Sequence, residues 1–322
     1  MPSLPTPDLL ADRRVLTRKL TFWRAAAVGV AIAAAVGAGL YGARRGSGEG
    51  GEQVARIKVS GLITGDDDTV KLIRSVANAA RVKAALVVIE SPGGTTAGSE
   101  RLYNEIRKLS AKKPVVALVG TMAASGGYIA ALAADQIVAQ ETSIVGSIGV
   151  IFQNPNVSRT LDMLGVKIEE IKSSPLKASP NPYSTTSEEA RAAMRAMVED
   201  SYDWFKGLVR ERRGLDGAAL AAVADGRIFT GRQGLPLKLI DRLGAESEAR
   251  KWLAQAKDVP ESLPARDWKP KSGALERLGL SEALAVALAA AGWGELASAL
   301  RSDAFAVSKL DGLLAVWQGP AP

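Results

Sequence analysis

The chain contains no histidine and no cysteine. The first absence excludes every Ser-His-Asp and Cys-His arrangement, and with it the imidazole ligand that most transition-metal sites use. The second excludes thiol nucleophiles, disulfides, iron–sulfur clusters and cysteine-built zinc sites, and it is compatible with any redox compartment. Hydrolytic chemistry here is therefore restricted to carboxylates, or to a serine or threonine served by a lysine or an N-terminal amine. Also missing is any block of lysine and arginine interleaved with aromatics. The 41 basic residues exceed the 34 acidic ones, but they are spread along the chain and aromatics make up only 5% of it, so no nucleic-acid partner is expected.

What is present is a chain of 322 residues, 47% of them hydrophobic. That is enough for one large domain with appendages, or for two domains. Residues 1–24 form a basic tail, with Arg13, Arg14, Arg18, Lys19 and Arg24 against Asp8 and Asp12. The next stretch, "AAAVGVAIAAAVGAGLYGA" at 25–43, is uncharged throughout. As a helix it would be about 28 Å long, which matches the hydrocarbon core of a bilayer. It is read as a transmembrane signal anchor. The stronger basic flank marks the cytoplasmic side, which places everything after it outside, on the periplasmic side of a bacterial inner membrane. Residues 44–53, including "GSGEGG", read as a flexible linker.

Strand and helix signals then alternate. "ARIKVSGLI" alternates apolar and polar positions at Ile57 and Val59, and "TVKLIRSVANAA" repeats Val70, Ile73 and Ala77 at helical spacing. "AALVVIE" (84–90) is the continuous apolar run of a strand covered on both faces. "SERLYNEIRKL" is helical, and "PVVALVG" and "QIVAQ" read as further strands. This order predicts an α/β fold with mostly parallel sheets and flanking helices over 54–255. The proline-rich stretch "SSPLKASPNPYSTT" (173–186) reads as a loop, followed by a helix with Thr186 as N-cap and Gly214 as its stop. Residues 256–322 read as an extension without an assigned role.

Three glycine-bearing stretches follow apolar strands: "ESPGGTTAG" at 90–98, "ASGGY" at 124–128 and "SIVGSIGVI" at 143–151. The carboxyl ends of strands are where α/β sheets form ligand sites, and glycines there leave amide N–H groups available to an oxyanion. Ser125 stands between a strand and a helix, where it is either a nucleophile, with the N–H of Gly126 facing the attacked carbonyl, or a helix N-cap. As a nucleophile it needs a base, and lysine is the available type. An ordinary lysine is almost wholly protonated at neutral pH, so a catalytic one needs a desolvated pocket. Lys177, flanked by Pro175, Leu176, Ala178 and Pro180, is a candidate.

"SPGG", "MAASGGY", "GSIGVI", "SPLKASPNPY" and "DGRIFTGRQGLPLKLIDRLG" (225–244), in this order, resemble the signal peptide peptidase SppA family in its short, single-repeat form. The resemblance covers about residues 54–255. It implies a crotonase/Clp-like fold and a membrane-bound serine endopeptidase without metal or cofactor. It further implies Ser125 as nucleophile, Lys177 as general base, Ser147 as the group that orients the lysine, and Gly93 with Gly126 as the oxyanion hole. Expected substrates are remnant signal peptides and other membrane-proximal chains, and the expected assembly is a homo-oligomer. The sequence departs from the family pattern at "ESPGG", where aspartate is commoner than Glu90, and at Pro180. Two other readings stay open on the residues alone: a crotonase-type CoA-thioester enzyme, and a catalytically dead membrane-anchored scaffold that binds peptides.

Overall fold

In the computed structural model, residues 51–270 and 313–316 are described. Strand β1 (Gln53–Ile63) leads through helix α1 (Asp67–Asn78) to β2 (Val82–Thr95), and α2 (Thr96–Ser110) leads on to β3 (Val115–Ala124). Helix α3 (Gly126–Leu132) and the short strands β4 (Gln136–Ala139), β5 (Ile144–Gly146) and β6 (Ile151–Phe152) follow. Then come α4 (Ser158–Met163), α5 (Glu188–Arg213), α6 (Gly217–Val223), β7 (Ile228–Thr230), α7 (Gly231–Gly234), β8 (Arg242–Leu243), α8 (Glu246–Lys257), β9 (Ala265–Trp268) and β10 (Leu313–Val316).

The sheet runs β9-β1-β2-β3-β4-β8, and every pair along that line is parallel. Past the glycine stretches the pairing changes. The end of β3 pairs with β5, which pairs antiparallel with β7, while the end of β2 pairs antiparallel with β10, itself antiparallel to β6. The mostly parallel α/β fold is thus as expected. The stretch 256–322 contributes two of its strands, β9 and β10, each four residues long and too short for periodicity to announce.

Parallel strands read as apolar runs because both faces are covered. Along β2, Ala85, Val87 and Ile89 face one cluster and Ala84 and Leu86 the other. Along β3, Val115, Ala117 and Val119 alternate in the same way with Val116 and Leu118. Ile73 and Val76 of α1 and Leu102, Ile106 and Leu109 of α2 close the first face, and Ala249 and Leu253 of α8 the second.

Helix α5 is 26 residues long. It is capped by Ser187, whose side chain accepts from the Ala190 N–H at 3.2 Å, one residue after the expected Thr186. The first turn then carries Glu188 and Glu189 at the positive end of the dipole, and Gly214 closes the helix in the left-handed region at φ 62°. Its buried residues past the first turn, Phe205, Leu208 and Val209, lie toward its C-terminal end. Residues 25–43, read above as a membrane segment, lie outside the described residues. Among the described residues no helix is long and apolar enough to cross a membrane.

Helices α1 and α2 are locked by Glu105, whose carboxylate is 5% exposed and accepts from Arg74 Nε and Nη2, both at 2.9 Å, and from Lys108 Nζ at 2.8 Å. The Arg74 guanidinium, followed by Lys108, holds its pKa down at about 2, against the opposing effect of burial. A carboxylate with a depressed folded-state pKa stabilises the fold above its unfolded pKa and loses that contribution as pH falls toward the folded value. Glu105→Gln is therefore expected to cost about 1–2 kcal/mol at neutral pH, a figure reduced for the solvent-exposed Arg74. Chemical denaturation across pH checks it. The gap between the two proteins should be constant above about pH 5 and should close as pH falls from there toward 2; a gap unchanged at pH 2.5 would refute the ionic origin.

Candidate active site

The three glycine stretches converge through backbone pairing. Ser91 lies opposite Ala123, and Met122, Ala123 and Ala124 lie opposite Ile144, Val145 and Gly146. The N–H of Ser125 donates to the carbonyl of Gly146 at 2.8 Å. The first turn of α3 also presses on β2, since a Cβ at Gly127 would stand 2.7 Å from the Ser91 carbonyl oxygen. Glycine is the residue that permits that approach.

Ser125 is held at φ 51° and ψ −116° and makes no side-chain capping hydrogen bond. It is therefore not a helix N-cap of the ordinary kind, which takes β-region angles and accepts from the first turn. A non-glycine residue at positive φ is strained, and it persists where the surroundings over-determine it. Here they do. The Ser125 carbonyl accepts from the N–H groups of Tyr128 and Ile129, both at 2.9 Å. Tyr128 is fully buried and donates its hydroxyl to the Leu239 carbonyl at 2.7 Å, and burial pushes its phenol pKa up, so it remains a neutral donor. Arg212 satisfies the far end of the helix by donating to the carbonyls of Leu132 at 2.9 Å and Ala134 at 2.8 Å. A sharp strand-to-helix turn of this kind projects a nucleophile's side chain away from its own backbone bonds.

Gly126 is the first residue of α3, and among the described residues its N–H has no acceptor. Gly93, at φ 125° in β2, is placed differently: its N–H donates to Ser91 Oγ at 3.1 Å. Ser91 is buried, and its hydroxyl also donates to the Gly61 carbonyl at 2.7 Å. Neither this serine nor its partners stood out in the sequence, because a Ser before Pro-Gly-Gly is ordinary turn chemistry and Gly61 lies on another strand. Glu90, the departure noted above, has a local role. It covers Gly120 so closely that a Cβ there would be 1.7 Å from its Oε1, and its Oε2 accepts from the Thr121 N–H at 2.9 Å.

Ser147 follows Gly146, is buried, and is also held at positive φ, 53°, with its N–H on the Arg227 carbonyl at 2.8 Å. Ala178, next to Lys177, is at φ 56°. Three of the five described non-glycine residues with positive φ thus belong to the candidate motifs, which is where stored strain is expected in a working site. The structure brings Ser125, Gly126, Gly93 and Ser147 together. It does not join Lys177 to them: Lys177 is exposed in its loop, its N–H bonds the Ser174 carbonyl at 3.1 Å, and no hydrogen bond links it to Ser125 or Ser147. The dry pocket that a lysine base needs is not formed around Lys177 by the described residues. Those residues also hold no group of carboxylates that could bind a metal ion.

The sequence profile of Peptidase family S49 matches residues 107–260. A candidate protease of Synechocystis sp. is 39% identical over 204 residues, covering 63% of this chain and 74% of the relative. A candidate signal peptide peptidase SppA of Enterococcus faecium is 34% identical over 182 residues, covering 56% of this chain and 53% of the relative, so the chain spans about half of that protein's length. Among solved structures, a serine-to-alanine mutant of the membrane-bound stomatin-specific protease 1510-N aligns at 15% identity with a TM-score of 0.46, covering 69% of this chain and all (100%) of that one.

Proposed function

The chain belongs to peptidase family S49, the SppA family, and from that premise we propose that it is a membrane-anchored serine endopeptidase working through Ser125 and Lys177. The observation that carries the reading is Ser125 itself: a strained serine without a capping hydrogen bond, beside an amide, that of Gly126, with no acceptor among the described residues. In the proposed reaction neutral Lys177 takes the proton from Ser125 Oγ, which attacks a peptide carbonyl. The developing oxyanion accepts from the Gly126 N–H and from the Gly93 N–H, which exchanges Ser91 Oγ for it. Collapse of the intermediate expels the amine, protonated by Lys177, and leaves an acyl-Ser125. Water, deprotonated by the same lysine, then releases the acid and restores the serine. Ser147 orients the lysine, and no metal or cofactor enters any step. The crotonase/Clp-like identity of the fold belongs to the same reading.

Lysine and serine meet in this reading through assembly. The arm that carries Lys177 exposes Met163 at 79%, Leu164 at 72% and Ile171 at 97%, more apolar surface than one segment of a soluble monomer keeps uncovered. We assign that surface to a neighbouring copy in a homo-oligomer, where burial would supply the pocket that the isolated chain lacks. The proposed substrates are apolar peptide segments at the membrane, remnant signal peptides among them. Residues 25–43 would anchor the enzyme with residue 1 cytoplasmic, and an alkaline phosphatase fusion after residue 50 that proved inactive in bacteria would reverse that orientation.

A fluorophosphonate probe tests the chemistry. It should form an adduct mapped by mass spectrometry to Ser125, and the adduct should be absent in Ser125→Ala. An active preparation that cleaves peptides without labelling at Ser125 would overturn the assignment. A CoA-thioester enzyme or an inert scaffold would do neither.

A further inference from the structure

Strand β10 occupies the one place where an extended peptide would have to lie to reach Ser125. It is inserted between two edges, pairing antiparallel with Gly93–Thr95 of β2 on one side and with Ile151–Phe152 of β6 on the other. Val316 is opposite Gly93, Ala315 is opposite Gly94, and Leu314 faces both Thr95 and Ile151. Gly93 is the residue whose amide the proposed reaction needs for the oxyanion, so the strand sits on the catalytic turn itself. Pairing an extended chain to a sheet edge is a general mode of peptide recognition, in which backbone hydrogen bonds supply affinity with little demand on sequence. Two such edges facing each other make a slot, and an unfilled slot would leave both rows of backbone groups unpaired.

We propose that the segment Leu313–Val316 is an internal occupant of the peptide-binding slot, so that this chain restrains its own active site by competing with substrate. The inference rests on the functional reading above and adds its regulation. The chemistry of the segment fits the role. From Gly312 onward the sequence "GLLAVWQGPAP" carries no charge. An uncharged, extended apolar stretch is also what the proposed substrates present. With the strand in place Ser125 is 1% exposed, so cleavage of another chain requires the slot to be vacated first.

The test uses the full chain with Leu314→Pro, because Leu314 is paired on both sides and proline removes the N–H that a central strand position uses. Ala315→Pro is the second variant, and circular dichroism establishes that each is folded. A fluorescent peptide of residues 311–318 is titrated by anisotropy against Ser125→Ala chains with and without the proline, so that binding is read without turnover. At least tenfold tighter binding to the proline variants is expected. In the Ser125-intact enzyme the same substitutions should lower KM for an uncharged apolar peptide by a similar factor and leave kcat within twofold. Equal peptide affinity in the paired and the proline chains would overturn the inference. Tight binding to the proline variants without any cleavage by the Ser125-intact chains would instead uphold the occupant and sink the peptidase reading.

Discussion

Ser125→Ala is expected to lower kcat/KM for peptide cleavage by about 10³-fold or more, Lys177→Ala by a similar factor, and the double variant no further than either single one. The non-additivity follows from the chemistry. A serine hydroxyl is a poor nucleophile until its proton has a destination, and a neutral amine without a serine has nothing to activate. Removing either therefore removes the same step. Ser147→Ala should cost less, about 10-fold, because the base survives and loses only its orientation. The exposed position of Lys177 adds a sharper expectation. If the lysine reaches its serine only across a subunit contact, mixing dissociated Ser125→Ala and Lys177→Ala protomers should restore part of the activity, since some contacts then pair an intact serine with an intact lysine. Mixed assemblies that form and stay inactive would place the dyad within one chain. Substantial activity in either purified single variant would refute the dyad itself.

Gly94→Ala should destabilise the chain by about 3 kcal/mol or more, enough to lower Tm by roughly 6–12 °C for a domain of this size. The cause is a backbone collision. A Cβ at position 94 would stand 1.9 Å from the carbonyl oxygen of Ile63 and 2.5 Å from its carbon and nitrogen. Ile63 and Gly94 are partners at the end of the β1–β2 ladder, so relief requires the two strands to separate where they shape the slot beside Ser125. No side-chain rotation can provide it. Gly207→Ala is the control. Gly207 lies inside α5 with nothing within 4 Å of its would-be Cβ, and alanine there should stabilise by about 0.5–1 kcal/mol. Thermal melts of the two variants beside the parent decide the matter. A Gly94→Ala protein that melts within 2 °C or so of the parent would show that the strand ends part more easily than their pairing implies.

The alternation of strands and helices was legible because its signal is local. Ile73 and Val76, Leu102 and Ile106, and the uninterrupted run from Ala84 to Ile89 record which faces the chain buries, and burial follows periodicity. The end of α5 at Gly214 was legible for the same reason, since a left-handed position is a property of one residue. The place of Ser125 at a strand-to-helix junction was likewise open to reading, and its nearness to Gly93 and Ser147 followed from three glycine stretches at strand ends.

Only the tertiary structure decided what those residues do there. Strands β2 and β3 run on through their glycine and alanine stretches to Thr95 and Ala124, because β10 and β5 pair with their ends, and pairing between distant segments leaves no mark in local composition. The strained angles of Ser125 are set by a hydrogen bond from its N–H to Gly146 and by the buried anchor of Tyr128 on Leu239, contacts 21 and 111 positions apart in the chain. The engagement of the Gly93 amide by Ser91 and the exposure of Lys177 were equally invisible, for each depends on which surfaces meet. Four residues, Leu313–Val316, carry no periodicity that could announce a strand, yet they fill the slot beside the catalytic turn. Local burial patterns thus determined the elements and the candidate nucleophile, while the geometry of the site came from long-range backbone pairing, which acts through hydrogen bonds that every residue can make and that no residue type records.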